Sequence, residues 1–253
     1  MLTAFFCVVF VFYIIATVGL LIYGLNCYVM LFLFARKRRE ALQARTKILQ
    51  KYGNVLDNKN IPAVTTQIAI FNEYNVAERV MRAACAMEYP GGKHEIQVLD
   101  DSTDKTAALV ATLAEELRGK GHDIVVLHRE HRTGFKAGAL QEGLEKAKGE
   151  LVAVFDADFV PPPDFLKSLV AFFMDDDKLG FVQTRWGHIN RRSSMLTRAQ
   201  SIGIDGHFVI EQVARSWNNL YMNFNGTAGI WRRKAIEEAG GWQWDTLTED
   251  LDL

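Results

Sequence analysis

The most constraining feature of the sequence is an uncharged apolar run at its N-terminus. Residues 2–35 contain no Asp, Glu, Lys or Arg and are rich in Phe, Val, Ile and Leu. About 20 apolar residues are enough for a helix to cross the hydrocarbon core of a bilayer, so residues 1–35 predict one tilted transmembrane helix. A cleaved signal peptide would have a basic start, a shorter apolar core and a small-residue cleavage site, and none of these is present.

A basic cluster directly follows the apolar run. Residues 36–39 read Arg-Lys-Arg-Arg, whereas no Lys or Arg precedes the run. Because positive charge is retained on the cytoplasmic side, we expect an integral membrane protein, of a bacterial inner or plasma membrane, with its catalytic domain in the cytoplasm. Residues 36–62 are predicted to form a basic interfacial helix over 40–51 and then a linker. The cluster also suits contact with anionic membrane lipid.

From residue 63 onward, strand and helix patterns alternate. Four short apolar runs predict strands, over residues 63–71, 95–99, 124–128 and 151–155. Three segments between them predict helices, over residues 76–87, 105–120 and 137–147. Strands that are apolar on both faces are typical of a parallel sheet covered by helices on both sides. The sequence therefore predicts a doubly wound, nucleotide-binding-like α/β fold.

Composition and missing motifs argue against several classes of function. A formal net charge of −1 is unlike that of a dedicated nucleic-acid-binding protein, so no nucleic acid partner is expected. The three cysteines form no C-x-x-C pair, which argues against zinc, iron–sulfur and disulfide frameworks. There is no Walker A sequence, and no G-x-G-x-x-G turn follows the first predicted strand. Kinase-like use of ATP and the usual NAD site are therefore disfavoured.

Acidic residues follow three of the four predicted strands. The first strand ends in Phe71-Asn72-Glu73, the second in Asp100-Asp101-Ser102 and the fourth in Asp156-Ala157-Asp158. Parallel sheets bind ligands beyond the carboxyl ends of their strands, where converging carboxylates repel each other unless a cation is bound. The pattern predicts a site for a divalent cation, or for a ligand that carries one. Asp101 could equally belong to the N-terminal cap of the next helix.

Three later motifs are candidates for ligand contact. Lys136-Ala137-Gly138 begins a predicted helix, so a lysine and free backbone N–H groups could face one anion, although a solvated basic loop is an alternative. Phe224-Asn225-Gly226-Thr227 permits close backbone approach to a ligand, or forms an ordinary turn. Thr248-Glu249-Asp250 either begins a helix or delivers a general base.

In this order, the six motifs resemble those of the processive, membrane-bound family 2 glycosyltransferases. The amino-acid sequences of residues 97–104 and 224–232 most resemble those of the cellulose-synthase-like mannan and glucan synthases and their bacterial relatives. The resemblance covers residues 63–253 and implies a GT-A fold, which is a Rossmann-like, mostly parallel α/β sheet. It also implies inverting transfer of a hexose from a nucleoside diphosphate sugar, GDP-mannose or UDP-glucose, to a growing β-linked polysaccharide, with Mg²⁺ or Mn²⁺ as cofactor.

The resemblance implies roles for individual residues. Five would bind the nucleotide: Phe71, Glu73, Asp100, Asp101 and Lys136. Two would hold the metal: Asp156 and Asp158. The donor and acceptor sugars would meet Gly226, Thr227 and Glu249, and the preference of sugar rings for aromatic faces adds Trp242 and Trp244. Asp250 would deprotonate the attacking acceptor hydroxyl.

Family members continue past the catalytic acid with a Gln-x-x-Arg-Trp motif and further membrane spans. This sequence ends at Leu253, so we expect the catalytic domain over 63–253 to be C-terminally incomplete. Two other functions stay open. One is a non-processive transferase that acts on a membrane lipid acceptor, and the other is a catalytically idle subunit that binds a nucleotide sugar.

Overall fold

The computed structural model of the protein describes residues 2–246 and residue 248. Within this part of the chain, contacts define two compact units. The first unit comprises residues 2–45 and 185–222, and the second comprises residues 46–184 and 223 onward. Part of the predicted catalytic domain therefore groups with the N-terminal helix, which the sequence pattern did not indicate.

A single helix, α1, runs without interruption from Leu2 to Tyr52. Its apolar part is long enough to cross a membrane and is not buried inside the protein. The sequence separates a membrane helix from an interfacial helix over 40–51, whereas the structure joins them. The reason is that residues 25–52 contain no Gly or Pro to break the helix. Gly53, with φ +52°, follows its end in the left-handed conformation that commonly terminates helices.

The second unit is built on a six-stranded sheet. Its strands are β1 (Val64–Ile70), β2 (His94–Asp100), β3 (Ile124–His128), β4 (Leu151–Asp156), β5 (Phe181–Gln183) and β6 (Gly229–Arg232). The strand order is β3-β2-β1-β4-β6-β5. The first four strands are parallel, and β6 lies antiparallel to both β4 and β5. The mostly parallel α/β fold expected from the sequence is confirmed.

The helices of this unit are α2 (Tyr74–Cys85), α3 (Lys105–Gly119), α4 (Phe135–Lys146), α5 (Phe165–Asp175) and α8 (Arg233–Glu238). Successive side chains of β4 point to opposite faces of the sheet. Val152 and Val154 pack in one cluster with Leu140 of α4. Phe155 packs against Phe165 of α5, with ring centroids 4.9 Å apart. Helices therefore cover both faces.

The strand register brings the acidic motifs together. The pairing of β1 with β2 sets Ile70 opposite Asp100, and the pairing of β1 with β4 sets Ala69 opposite Asp156. Neighbouring strands lie about 4.8 Å apart. The ends of β2 and β4 therefore lie within one residue of the same level on either side of β1, at one edge of the sheet.

In the first unit, a mainly helical segment accompanies α1. It comprises α6 (Met195–Gly206), a π-helical turn (His207–Glu211) and α7 (Gln212–Trp217). Ser194 caps α6 in a reciprocal capping box with Thr197. The sequence predicts one helix over 193–213, and the π-helical turn is a local departure from that prediction.

Aromatic side chains fill the core between α4, β6 and the segment after α8. Trp242 is 1% exposed and lies among Leu140, Phe224 and Trp231. Its ring is 6.1 Å from that of Trp231 and 6.4 Å from that of Phe224. This tryptophan therefore anchors the segment that leads to the C-terminal acidic motif.

Replacing Trp242 by Ala should strongly destabilise the second unit. Truncating a buried tryptophan costs about 3–5 kcal/mol, because it removes buried contacts and leaves a cavity. Trp244 is 54% exposed, so Trp244→Ala is the matched control and should cost under about 1 kcal/mol. Thermal unfolding of both variants measures the difference, and equal Tm values would contradict this packing.

Candidate active site

A cavity of about 290 Å³ opens at the carboxyl ends of β1, β2 and β4. Six charged side chains and one aromatic ring line it together with apolar residues. These seven are Phe71, Glu73, Asp101, Arg132, Lys136, Asp156 and Asp158. Six of them are residues that the sequence analysis singled out, and they reach the cavity from four different elements or the loops that follow them.

Asp100 and Asp101 have different surroundings, because successive side chains of a strand point to opposite faces. Asp100 is 1% exposed, and its Oδ2 lies 2.8 Å from His128 Nδ1. Its Oδ1 accepts a hydrogen bond from the backbone N–H of Ser102. The structure does not bring the Asp100 side chain to the cavity wall, whereas Asp101 lies there. Through these two contacts, Asp100 stabilises the end of β2 and the loop that follows it.

Asp101 is held by a two-point ion pair. Arg129 donates from Nε to Oδ1 at 2.7 Å and from Nη2 to Oδ2 at 2.6 Å. Arg132 adds a longer contact, with its Nε 3.6 Å from Asp101 Oδ2. Paired Arg–carboxylate bonds fix geometry as well as charge. The carboxylate is thus already oriented at the cavity wall.

Arg132 also lies against the ring of Phe71, which the sequence analysis assigns to nucleotide binding. Its guanidinium carbon is 3.6 Å from the centroid of the Phe71 ring and 5.2 Å from that of Phe135. A cation over a ring face is attracted by the ring quadrupole. Phe71 and Arg132 therefore form a flat, partly charged surface at the mouth of the cavity.

The sequence offers the loop over residues 128–136, which includes Arg129 and Arg132, as a source of cations for phosphates, and His128 as a surface or linker histidine. It does not predict that these residues pair with Asp100 and Asp101. The signal that could have found these pairs is register. His128 lies opposite Asp100 in the pairing of β2 with β3, and the two arginines follow within four residues. Cations just beyond the end of a neighbouring parallel strand are well placed to meet the carboxylates.

Lys136 links the end of β4 to the loop that contains Gly226. Its Nζ lies 2.5 Å from Asp156 Oδ1 and donates to the Gly226 carbonyl at 2.9 Å. The lysine is in the first turn of α4, after Gly134, which has φ +70° and accepts a backbone hydrogen bond from Gly138. An anion in the cavity would meet both the ammonium group and the positive end of a helix.

Glu73 lies at the same wall and is electrostatically disfavoured as an anion. Burial raises the pKa of its carboxyl group, and the negative charges of Asp158 and Asp156 raise it further. A hydrogen bond from the backbone of Phe71 and the charge of Arg132 act in the opposite direction. The cavity therefore has an excess of negative charge near Asp156 and Asp158, which a cation would relieve.

Asp156 and Asp158 are the candidate ligands for that cation. Among residues 2–246 and 248, no three or more His, Cys, Asp or Glu side chains are grouped so that they could hold a metal alone. Mg²⁺ is commonly held by one or two carboxylates and completes its shell with substrate phosphates and water. Two aspartates beside a lysine fit a metal that would arrive with a diphosphate.

The loop over residues 224–227 is tied to the end of β4. Thr227 is 1% exposed, and its Oγ1 accepts a hydrogen bond from the backbone N–H of Asp156. Gln183 bridges the loop from β5, since it accepts from the Asn225 N–H and donates to the Thr227 carbonyl. Gly226 has φ +75° and turns its carbonyl toward Lys136. The motif thus shapes the site through its backbone.

The tryptophans after α8 differ in their access to solvent. The ring of Trp242 is buried in the aromatic core and leaves no open face for a sugar. Its backbone N–H donates to Gln141 Oε1 of α4 at 2.9 Å. Trp244 is exposed and packs against Gly134, where a side-chain carbon would approach its ring to 2.8 Å. Glu249 and Asp250 lie outside the described residues, so their roles stay predictions.

Comparison with known proteins finds a matching family and several relatives. Residues 66–240 match glycosyl transferase family 2. The chain is 45% identical over 202 residues to glucomannan 4-beta-mannosyltransferase 2 of Arabidopsis thaliana, and 42% over 200 residues to glucomannan 4-beta-mannosyltransferase 1 of Cyamopsis tetragonoloba. Each alignment covers 78% of this chain and 38% of the relative. The chain thus spans well under half the length of these relatives.

Two solved structures share the fold. The mannosyltransferase PcManGT from Pyrobaculum calidifontis, in complex with GDP-Man and Mn²⁺, superposes with a TM-score of 0.60 at 24% identity, over 88% of this chain and 61% of that one. TarS 1–349 of S. aureus, in complex with UDP-GlcNAc, gives 0.54 at 17% identity, over 76% and 51%. From the extent of the family match and this shared fold, the chain belongs to glycosyl transferase family 2.

Proposed function

We propose that the protein transfers a hexose from a nucleoside diphosphate sugar to a growing β-linked polysaccharide of the mannan or glucan type, with inversion at the anomeric carbon. The observation that carries the proposal is the convergence of Phe71, Asp101, Lys136, Asp156 and Asp158 on one cavity. The likeness to glucomannan mannosyltransferases, and to a mannosyltransferase bound to GDP-Man and Mn²⁺, favours GDP-mannose as donor. UDP-glucose is the second candidate.

In this proposal the nucleoside binds at the outer part of the cavity. The base stacks on Phe71, and Arg132 moves from the ring face that it covers to make room. Asp101, oriented by Arg129, accepts a hydrogen bond from the nucleoside, and Glu73 accepts a second. Asp100 acts indirectly, because its carboxylate holds His128 and the Ser102 backbone beneath the site.

The diphosphate binds further in, at the first turn of α4. Lys136 leaves Asp156 and pairs with a phosphate oxygen, so one ion pair replaces another. Asp156 and Asp158 are then free to hold Mg²⁺ or Mn²⁺, which when bound neutralises the charge that develops on the departing diphosphate. The Gly226 carbonyl and the Thr227 backbone border the donor sugar.

The acceptor hydroxyl attacks from the side opposite the diphosphate. Asp250, aided in positioning by the neighbouring Glu249, takes the proton from that hydroxyl as it attacks. A single displacement inverts the anomeric carbon, and no covalent sugar intermediate is needed. The exposed face of Trp244 is a surface on which the acceptor sugar can pack.

We further propose that α1 anchors the enzyme in a membrane, with the catalytic unit on the cytoplasmic side.

The metal assignment predicts that nucleotide binding depends on Asp158. In calorimetric titrations with GDP, Mn²⁺ should strengthen binding at least tenfold in the unaltered protein, and this gain should be lost in Asp158→Ala. The exposed Asp177 is the control, because Asp177→Ala removes the same charge away from the cavity. Binding that does not depend on Mn²⁺ and is unchanged in Asp158→Ala would contradict the metal site.

The two ends of the nucleotide should respond to different substitutions. Phe71→Ala should weaken GDP binding about 5- to 150-fold, because base stacking contributes roughly 1–3 kcal/mol, and should leave pyrophosphate binding unchanged. Lys136→Met should weaken both ligands, since it removes a phosphate contact. Tyr74→Ala is the control aromatic substitution. If Phe71→Ala weakened pyrophosphate as much as GDP, the assigned orientation of the nucleotide would be wrong.

The catalytic assignment predicts that Asp250→Asn separates chemistry from binding. Transfer to acceptor should fall about 10²- to 10⁴-fold, the usual contribution of a general base, while the affinity for GDP and Mn²⁺ is retained. The measurement requires the full-length enzyme, with Asp245→Asn as a nearby control. Wild-type turnover in Asp250→Asn would refute the assignment. GDP binding without any transfer by the full-length wild-type enzyme would favour an idle binding subunit.

A further inference from the structure

The loops that follow β1 and β2 are joined by hydrogen bonds beyond the end of the sheet. Asn72 lies on the first of these loops, and its backbone N–H donates to Ser102 Oγ at 3.0 Å. Its side chain makes a two-point contact with Thr103, because Oδ1 accepts from the Thr103 N–H at 2.9 Å and Nδ2 donates to Thr103 Oγ1 at 3.3 Å. Asn72 therefore fixes one loop against the other.

The backbone of Asn72 has a left-handed conformation, with φ +56°. Residues other than Gly rarely adopt it, and Asn is one of the few that are enriched there. The residues on either side, Phe71 and Glu73, both line the cavity, whereas Asn72 does not. The Glu73 carboxyl group accepts a hydrogen bond from the backbone of Phe71. The turn at Asn72 thus presents two side chains to the cavity, while its own side chain bonds to the neighbouring loop.

The loop after β2 is the rigid partner in this contact. Ser102 is 2% exposed, and its backbone N–H donates to the carboxylate of Asp100, which is also buried. Asp101, between them, is held by the two-point ion pair with Arg129. Buried polar groups that are fully paired resist movement, because breaking one of these bonds leaves its partner unsatisfied. The exposed Asn72 is therefore attached to a fixed support.

The ring of Phe71 needs such a support if a base is to stack on it. The guanidinium carbon of Arg132 lies 3.6 Å from the ring centroid, and in the proposed function Arg132 leaves that ring face when the base binds. The contact with Arg132 therefore cannot hold the ring in the bound state. Ser102 and Thr103 do not line the cavity, so a nucleotide that binds there leaves their bonds to Asn72 in place.

We infer that Asn72 is a positioning residue for the nucleoside. It sets the distance between Phe71, on which the base stacks, and Asp101, which accepts a hydrogen bond from the nucleoside, so this role rests on the proposed function. A loop that is already ordered loses less conformational freedom on binding. The hydrogen bonds of Asn72 therefore contribute to nucleoside affinity, although the residue does not touch the ligand. The diphosphate meets Lys136 on α4 and does not depend on Asn72.

Asn72→Gly tests the side chain without adding strain. Glycine adopts a positive φ freely, so the variant retains the turn and loses the two-point contact with Thr103. In calorimetric titrations of the full chain with Mn²⁺, GDP binding should weaken about tenfold, and pyrophosphate binding should stay within about twofold of the unaltered protein. Asn219→Gly is the matched control, because Asn219 has φ +53° and does not line the cavity. Thermal unfolding verifies that both variants are folded.

A double-variant cycle identifies the contact that is responsible. Thr103→Val removes the hydroxyl group that accepts from Asn72 Nδ2, and it should weaken GDP binding less than Asn72→Gly does. The double variant should bind GDP no more weakly than Asn72→Gly alone, since the shared contact is already lost. In the same Asn72→Gly variant, the amide hydrogen of Thr103 should exchange with solvent faster, because it no longer donates to Asn72 Oδ1.

Two results would overturn the role of Asn72. One is an unchanged GDP affinity in Asn72→Gly, and the other is a loss of pyrophosphate binding as large as the loss of GDP binding, which would indicate a general distortion of the cavity. The unaltered protein separates this failure from that of the proposed function. If it bound neither GDP nor UDP, the proposed function would fail together with the role of Asn72, whereas normal GDP binding by both proteins would count against Asn72 alone.

Discussion

Negative charge gathered at the carboxyl ends of β1, β2 and β4 is the constraint on which the site depends. The register of parallel strands brings these ends to one edge, so the repulsion cannot be relieved by moving a single loop. Two ion pairs reduce this repulsion: Arg129 pairs with Asp101, and Lys136 pairs with Asp156. Lys136 also donates to the Gly226 carbonyl. In the proposed mechanism it would exchange Asp156 for a diphosphate oxygen, and a metal held by Asp156 would then compensate the aspartate's charge.

Helix α4 connects the two halves of the proposed chemistry. Its first turn holds Lys136, and one turn later Gln141 accepts the backbone N–H of Trp242. Trp242 is in turn locked in the aromatic core, and Trp244 rests on Gly134 at the N-terminus of the same helix. The segment that leads to the acidic terminus is therefore fixed against α4, the helix that is proposed to bind the diphosphate. This explains why a buried tryptophan, which cannot stack on a sugar, still matters to the site.

The sequence predicts the parallel strands and the acidic strand ends well, because apolar runs and turn residues are local signals. It predicts less well what depends on contacts between distant residues. Asp100 and Asp101 are adjacent and look equivalent, yet the pleat of β2 directs one to His128 and the other to the cavity. Arg132 is an ordinary loop cation until the fold sets it over Phe71. Trp242 invites a sugar-stacking interpretation, because the local sequence does not show that α4, Phe224 and Trp231 pack around its ring. By contrast, the sequence does contain the local signal that α1 continues into the basic region, because residues 25–52 contain no Gly or Pro. The change from apolar to basic composition at residue 36 suggested a break in the helix there.

The loop of residues 224–227 shows how far the site is set by the sheet rather than by its own sequence. Thr227 accepts the Asp156 N–H, Gln183 holds the loop from β5, and the Ala228 N–H donates to the Val154 carbonyl. A glycine at 226 is required because its carbonyl must turn toward Lys136 at a positive φ, which costs other residues about 1 kcal/mol or more. The loop that is proposed to border the donor sugar and the carboxylate that is proposed to hold the metal therefore share one set of hydrogen bonds. A change that shifts the loop must also shift Asp156, so sugar placement and cation placement are not independent in this fold.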